Sequence, residues 1–298
     1  MHTDFKSGFA SIVGPPNSGK STLLNAICLK KLSAVSSKPH TTRQHIKGII
    51  TSEKYQIVFV DTPGFIKPNT RLEKIMQFET RRAAKDDADV LIVAIEPDIE
   101  NIKKNLEILK TYTSFKKEMI ITITKIDIYS KKQIENARKE ISNIIPAQDI
   151  IEVSALKNIN LDNFLNMVVQ KLPFSPPYYP DDILSDKWER YFAGQLIQET
   201  VFELYEDEIP YSVAISVEVF KEDSNPLYIL AYIYTSRKNH KMIIIGKEGR
   251  MIKKLTEISQ KKISDFLSKD VRLELYVKIK ENWQDDKKFI ERVMGYYN

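Results

Sequence analysis

Cysteine is almost absent from this chain of 298 residues: Cys28 stands alone. An internal disulfide is therefore excluded, and a reducing cytosol is the expected compartment. Long apolar runs are also missing, and none approaches the ~20 residues needed to cross a bilayer. The opening MHTDFKSGFASIVG runs straight into a motif and leaves no room for a signal peptide. Histidine occurs four times, at His2, His40, His45 and His240, without the spacing of a zinc site. Glycine is scarce too. Of nine glycines, Gly14, Gly19, Gly64, Gly246 and Gly249 fall in three loops, so backbone geometry is needed there. The net charge of +5 is modest and identifies no partner. Its distribution is more informative. Residues 237–262 hold nine Lys/Arg against Glu248 and Glu257, a local footprint for a polyanion.

Length points to about two domains. The stretches 9–13, 46–51, 55–60, 90–96, 118–125 and 149–155 read as strands. Helical spacing appears at 22–32, 70–88, 99–111, 130–143 and 160–171. Strands and helices alternating in this way imply a mostly parallel α/β sheet covered on both faces, and the SEK tripeptide at 52–54 suggests a hairpin. PFSPPYYP (173–180) carries four prolines and reads as a linker, the other reading being a proline-rich loop inside one domain. A helix over 185–208, strands over 211–220 and 227–235, a helix over 250–267, a strand over 271–280 and a helical tail follow, giving a small α+β module. The expected division is 1–172, a linker at 173–182, and 183–298.

GPPNSGKS (14–21) completes G-x-x-x-x-G-K-S between a strand and a helix, as a phosphate loop requires. Loop N–H groups and the helix N-terminus hold phosphate oxygens, Lys20 reaches the outer phosphates, and Ser21 offers a hydroxyl to Mg²⁺. DTPG follows a second strand, with Asp61 placed to hold Mg²⁺ through water and Gly64 to present its N–H to the terminal phosphate. TKID (124–127) ends another strand. A short carboxylate there, Asp127, can accept from guanine N1–H and the exocyclic amine, a donor pair adenine lacks. Lys125 would lay its stem along the ring, and SAL (154–156) would add a backbone N–H for guanine O6. Four such signals at strand C-termini, in order, make chance turns a poor account.

GPPNSGKS, DTPG, TKID and SAL resemble the ordered motifs of the translation-factor-related GTPases, and KPHTTRQHIKGI (38–49) resembles the first switch of the Era family. The resemblance implies that Thr42, or its neighbour Thr41, completes the Mg²⁺ shell. The metal residues are then Ser21, Thr42 and Asp61. The nucleotide contacts are Gly14, Pro15, Pro16, Asn17, Ser18, Gly19, Lys20, Ser21 and Thr22 in the first loop. Asp61, Thr62, Pro63, Gly64 and Phe65 supply the second. Thr124, Lys125, Ile126, Asp127, Ser154, Ala155 and Leu156 supply the base side. Two departures matter. Thr124 replaces the family's usual asparagine, and a hydroxyl reproduces only part of an amide's hydrogen bonding. Phe65 stands where a water-orienting glutamine is found in Ras-like enzymes. In relatives with a hydrophobic residue there, an asparagine matched by Asn17 ligates K⁺ together with backbone carbonyls, here expected near 33–38; the other reading of Asn17 is loop shaping. The catalytic set is Lys20, Asn17, Thr42 and Gly64.

Near the C-terminus, IIIGKEGRMIKK (243–254) places Gly246 and Gly249 around Lys247 and Glu248. G-x-x-G alone also fits an ordinary helix-to-helix turn. The apolar MIII before it, which reads as a strand by periodicity, and the basic helix after it fit a clamp on a nucleic-acid backbone. Arg250, Lys253, Lys254 and Lys261 share a helix face by spacing. The order helix, two strands, glycine loop, helix, strand resembles a type II KH domain, which makes MIII the end of a short helix instead. RNA contact is then expected from Ile245, Gly246, Lys247, Glu248, Gly249, Arg250, Lys253 and Lys254.

The paired resemblance covers nearly the whole chain. It implies a bacterial GTPase that binds the 3′ end of small-subunit ribosomal RNA, assists small-subunit assembly, and associates peripherally with the inner membrane. No pattern names an obligate protein partner. Two readings stay beside it: an RNA-binding assembly factor whose nucleotide site barely turns over, and a GTPase of transport or translation.

Overall fold

The computed structural model describes residues 4–36, 38, 41–64, 68–144 and 149–295. Phe65, His2, Ser37, Pro39 and His40, which carry sequence expectations, lie outside the described residues.

Backbone contacts divide the chain between Asp186 and Lys187, with the short segments Ala34–Thr41 and Pro68–Lys74 grouped with the second unit. The first unit is a six-stranded sheet in the order β2-β3-β1-β4-β5-β6. Its elements are β1 (Lys6–Val13), α1 (Lys20–Ile27), β2 (Ile46–Thr51), β3 (Tyr55–Asp61), α2 (Arg71–Arg82, whose first turn, Arg71–Lys74, is grouped with the second unit), β4 (Val90–Ile95), α3 (Ile99–Lys104), α4 (Leu106–Thr113), β5 (Glu118–Ile123), α5 (Lys131–Ile144), β6 (Ile150–Glu152) and α6 (Leu161–Lys171). Only β2 runs antiparallel, paired with β3 through the expected hairpin. All six residues of β4 are buried, which is why VLIVAI shows no alternation: both faces of a central parallel strand are covered. On one face Leu91, Val93, Ile121 and Ile123 pack with Leu109, Tyr112, Ala137 and Ile141.

Several expected elements shorten or split. The helix expected over 70–88 is α-helical to Arg82 and then widens into one π turn, Ala83–Asp87, whose Ala83 carbonyl accepts a 2.8 Å bond from the Ser11 hydroxyl. The helix expected over 99–111 is two helices, the first capped by Asp98, whose carboxylate accepts from the N–H groups of Glu100 and Asn101. Helix α1 stops at Ile27 instead of running to Leu32, and β6 spans three residues.

The proline-rich stretch is bonded along its length to the first unit. Ser7 N–H donates to Pro173 O (3.2 Å), and the wholly buried Gln56 amide oxygen accepts from Tyr178 and Tyr179 N–H (2.7 and 2.9 Å). Ile49 N–H donates to Leu184 O at 2.9 Å.

The second unit contains α7 (Glu189–Leu204), β7 (Val213–Lys221), β8 (Leu227–Thr235), α8 (Lys238–Ile245), α9 (Arg250–Leu267), β9 (Val271–Ile279) and α10 (Lys287–Met294). Its sheet is β7-β8-β9, with β7 antiparallel and β9 parallel to β8. Ala193, Leu196 and Ile197 of α7 and Ile263 of α9 pack on Ile229, Ala231 and Leu273 of the sheet. Helix α7 is shorter than expected at both ends. MIII is helical, the final residues of α8, so the strand reading by periodicity is overturned. Four consecutive apolar residues carry no period of their own. Ile244 points into the core while Met242 and Ile243 are exposed.

Candidate functional site: a phosphate loop with a base pocket, and a separate glycine clamp

The first loop leaves β1 at Val13 and enters α1 at Lys20. Gly14 sits at φ +147°, and a Cβ there would lie 2.3 Å from the Ala94 carbonyl oxygen, so no side chain fits. Asn17 and Gly19 are also left-handed, at φ +62° and +85°. Lys20 curls back over the loop and donates to the carbonyls of Gly14 (3.2 Å) and Pro15 (2.7 Å). Burial pushes its ammonium down to about 8, against the pull of Asp61. A buried cation in a ring of backbone dipoles gains most from an anion placed beside it.

The sequence-expected metal residues converge. Ser21 Oγ donates to Asp61 Oδ2 at 2.7 Å and lies 2.9 Å from Thr42 Oγ1. Thr42, not Thr41, meets Ser21; the Thr41 hydroxyl donates to the Lys38 carbonyl at 2.9 Å. Ser33 is an addition the sequence did not flag: its hydroxyl donates to the same Asp61 oxygen at 2.7 Å. Asp61 is fully buried, and among the described residues its Oδ1 has no hydrogen-bond partner. Burial pushes this carboxyl above its ordinary value, while the bond from Ser21 and the charge of Lys20 oppose it. A buried carboxylate oxygen without a partner, flanked by two hydroxyls, is the donor set a hard cation takes.

Thr62 fixes the start of DTPG by donating to Ile12 O at 2.8 Å, and the Pro63 carbonyl accepts from Thr80 at 3.2 Å. A Cβ on Gly64 would come within 3.0 Å of the Pro16 backbone, so DTPG lies directly against the phosphate loop. Asn17 is exposed on the rim of that loop, and Pro16 and Thr22 are half-buried.

On the base side, Thr124 is buried and donates its hydroxyl to Ser18 O at 2.7 Å, tying TKID to the phosphate loop. Lys125 is left-handed at φ +57°, and its ammonium lies 3.1 Å from the Glu96 carboxylate, which also accepts from Tyr129 at 2.7 Å. Ile126 N–H donates to Val153 O at 3.4 Å. Ser154 Oγ donates to Asp127 Oδ1 at 2.6 Å, joining TKID to SAL. Ala155 is half-buried beyond it and Leu156 is 75% exposed, pointing to solvent. Glu96 and Tyr129 were not identified from sequence. The available signal was Glu96 itself, a carboxylate ending an apolar strand as Asp61 does.

The C-terminal clamp joins α8 to α9. Gly246 (φ +72°) accepts no Cβ, because one would lie 2.7 Å from Met251 Cγ. Gly249 N–H donates to Gly246 O at 3.1 Å, closing the turn, and Gly249 itself is left-handed. Lys247, Lys253 and Lys254 are exposed, Ile245 is half-buried, and the exposed Met242 and Ile243 form an apolar strip beside the turn. Glu248 turns back onto Arg250, carboxylate to guanidinium at 2.7 Å. The Arg250 charge is therefore balanced locally, and Lys253 faces Glu257 at 4.0 Å. Lys262, one of the nine cations, is engaged by Glu199 and Glu203 (2.9 and 2.6 Å).

A six-stranded sheet with these loops at its strand ends, in one chain with a GKEG turn between helices, defines a P-loop GTPase fold followed by a KH module. Residues 9–125 match the family described as 50S ribosome-binding GTPase, and residues 208–284 match the KH domain. The chain is 39% identical over 291 residues to GTPase Era of Elusimicrobium minutum, covering 97% of each chain. It is 39% identical over 292 residues to GTPase Era of Clostridium acetobutylicum, covering 98% of each. Among solved structures, an Era point variant from Aquifex aeolicus bound to GDP and aluminium fluoride superposes with a TM-score of 0.89 at 31% identity, covering 97% of this chain and 99% of that one. Era in complex with MgGDPNP and nucleotides 1506–1542 of 16S ribosomal RNA superposes with a TM-score of 0.90 at 31% identity, covering 97% and 98%. The chain belongs to the Era family of GTPases.

Proposed function

We propose that this chain is a Mg²⁺-dependent GTP switch that binds the 3′ end of small-subunit ribosomal RNA through its KH module and assists assembly of the small ribosomal subunit. The observation that carries the reading is the convergence of Ser21, Thr42 and an Asp61 oxygen without a partner among the described residues, beside Lys20, in a chain that also holds the GKEG clamp. Solved Era carrying MgGDPNP and a 16S ribosomal RNA fragment supports both halves.

Ser21 and Thr42 would hold Mg²⁺ directly, with Asp61 acting through water. The ion supplies neutralisation of charge on the phosphate oxygens. Lys20 and the loop N–H groups bind the phosphates, and Gly64 N–H holds the terminal one. Asp127, fixed by Ser154, accepts from the guanine edge, and the Lys125 stem lies along the ring. Asn17 would hold K⁺, adding positive charge near the transferred phosphoryl group; equal turnover in K⁺ and Na⁺ buffers would remove this part. Peripheral contact with the inner membrane would be a surface contact. Among the described residues no helix is long and apolar enough to cross a membrane.

Multiple-turnover phosphate release, with and without RNA and with Mg²⁺ chelated, tests the switch. Loss of release on chelation is expected. Release no faster than single turnover would favour the reading of a barely hydrolysing RNA-binding factor. Lys247→Asp with Lys253→Asp tests the clamp. RNA affinity should fall, and the salt slope should drop by about one unit per lost phosphate contact. Unchanged affinity would refute the assignment.

A further inference from the structure

Hydrogen-bond donors around the base pocket can be followed one by one. Thr124 has one hydroxyl proton and one N–H. The N–H goes to Ile95 O at 2.8 Å. The hydroxyl lies 2.7 Å from Ser18 O and 3.3 Å from Ile95 O. Both neighbours are carbonyl oxygens that can only accept, so the proton's direction is fixed by chemistry. Thr124 is 3% exposed, so solvent does not compete for it. The Ser154 hydroxyl proton is committed to Asp127 at 2.6 Å, and the Ser154 N–H to Ile159 O at 3.2 Å. Lys125 is drawn to the Glu96 carboxylate at 3.1 Å.

We propose that this site reads guanine by its N1 and N2 edge and leaves N7 unread, because Thr124 gives its only side-chain proton to the phosphate loop. The inference rests on the guanine-nucleotide reading above. Purine N7 is an acceptor. Toward it, the Thr124 oxygen offers only lone pairs, and two acceptors do not pair. An amide at the same place carries two N–H groups, so it could hold Ser18 O with one and N7 with the other. Residue 124 is thus a strut between the base loop and the phosphate loop, with the reading function lost and the bracing function kept. Base choice then falls on Asp127, whose carboxylate accepts and so cannot serve N7.

The test compares GDP, 7-deaza-GDP and ADP by calorimetry on the full chain and on three variants. The full chain should bind 7-deaza-GDP within about twofold of GDP, since no N7 bond exists to lose. A loss above threefold overturns the proposal. Thr124→Asn should create a preference for GDP over 7-deaza-GDP of about three- to tenfold, the size of one neutral hydrogen bond. Equal binding by that variant overturns the assignment to residue 124. Thr124→Val should weaken GDP and 7-deaza-GDP alike by about tenfold, because the buried Ser18 carbonyl loses its partner. Thr124→Ser, which restores the hydroxyl, should recover most of that loss. A Thr124→Val protein with full affinity would overturn the strut. ADP binding as tightly as GDP would instead overturn the underlying guanine reading, whatever 7-deaza-GDP does.

Discussion

The two glycine loops of this chain are built from the same residue types and solve opposite problems. In the first, Lys20 is buried and held by two carbonyls; in the second, Lys247 is exposed beside an exposed apolar strip. Gly14 is needed because a neighbouring strand's carbonyl occupies the space of a Cβ, whereas among the described residues a Cβ on Gly249 would meet only Ile252 within 4 Å, at 3.9 Å. A closed loop suits a small ligand with a fixed shape, because buried dipoles and charges act strongly on what they enclose. An open turn suits a long polyanion that runs past it, where each contact is screened and worth little alone.

Glycine substitution should separate the two most sharply. Both Gly14 and Gly249 have positive φ, so each alanine bears a backbone penalty of about 1 kcal/mol. Gly14→Ala adds a collision with backbone, and a loss of several kcal/mol or failure to fold is expected on thermal denaturation, with Gly249→Ala near 1 kcal/mol. Similar losses would break the comparison. Lys20→Ala comes next: nucleotide affinity measured by calorimetry should fall by about 2–5 kcal/mol, the range for removing a buried, hydrogen-bonded charge partner. The smallest effect belongs to Glu248→Gln, which frees Arg250. RNA affinity should rise two- to fivefold at low salt and converge with the unaltered protein at high salt, because exposed pairs are worth about 0.2–1 kcal/mol. A fall in affinity would mean that Glu248 contacts RNA itself.

Much of this architecture is legible in the sequence because its signals are local. GPPNSGKS, DTPG and TKID each announce a strand end and a loop, and the loops indeed gather at one edge of one sheet. What sequence missed is what lies between motifs. Ser33 and Glu96 belong to no pattern, yet one adds a second hydrogen bond to Asp61 Oδ2 and the other aligns Lys125. Their roles come from tertiary placement, which a single sequence does not display. MIII is helical, as the KH resemblance implied, and only its periodicity misleads: a short helix half sunk in a core shows four apolar residues and no period. Glu248, an acid inside a supposed phosphate clamp, is accounted for by a neighbour two residues away that takes its charge.

The proline-rich stretch has a consequence for dissecting the chain. Gln56 is wholly buried, and its side-chain amide is satisfied by the backbone of Tyr178 and Tyr179 and by Thr51. A polypeptide ending at Leu172 would strand that amide and uncover the flank of β3. The proline-rich stretch acts as cladding for the first unit, so a fragment ending near Asp186 should be more stable to thermal denaturation than one ending at Leu172.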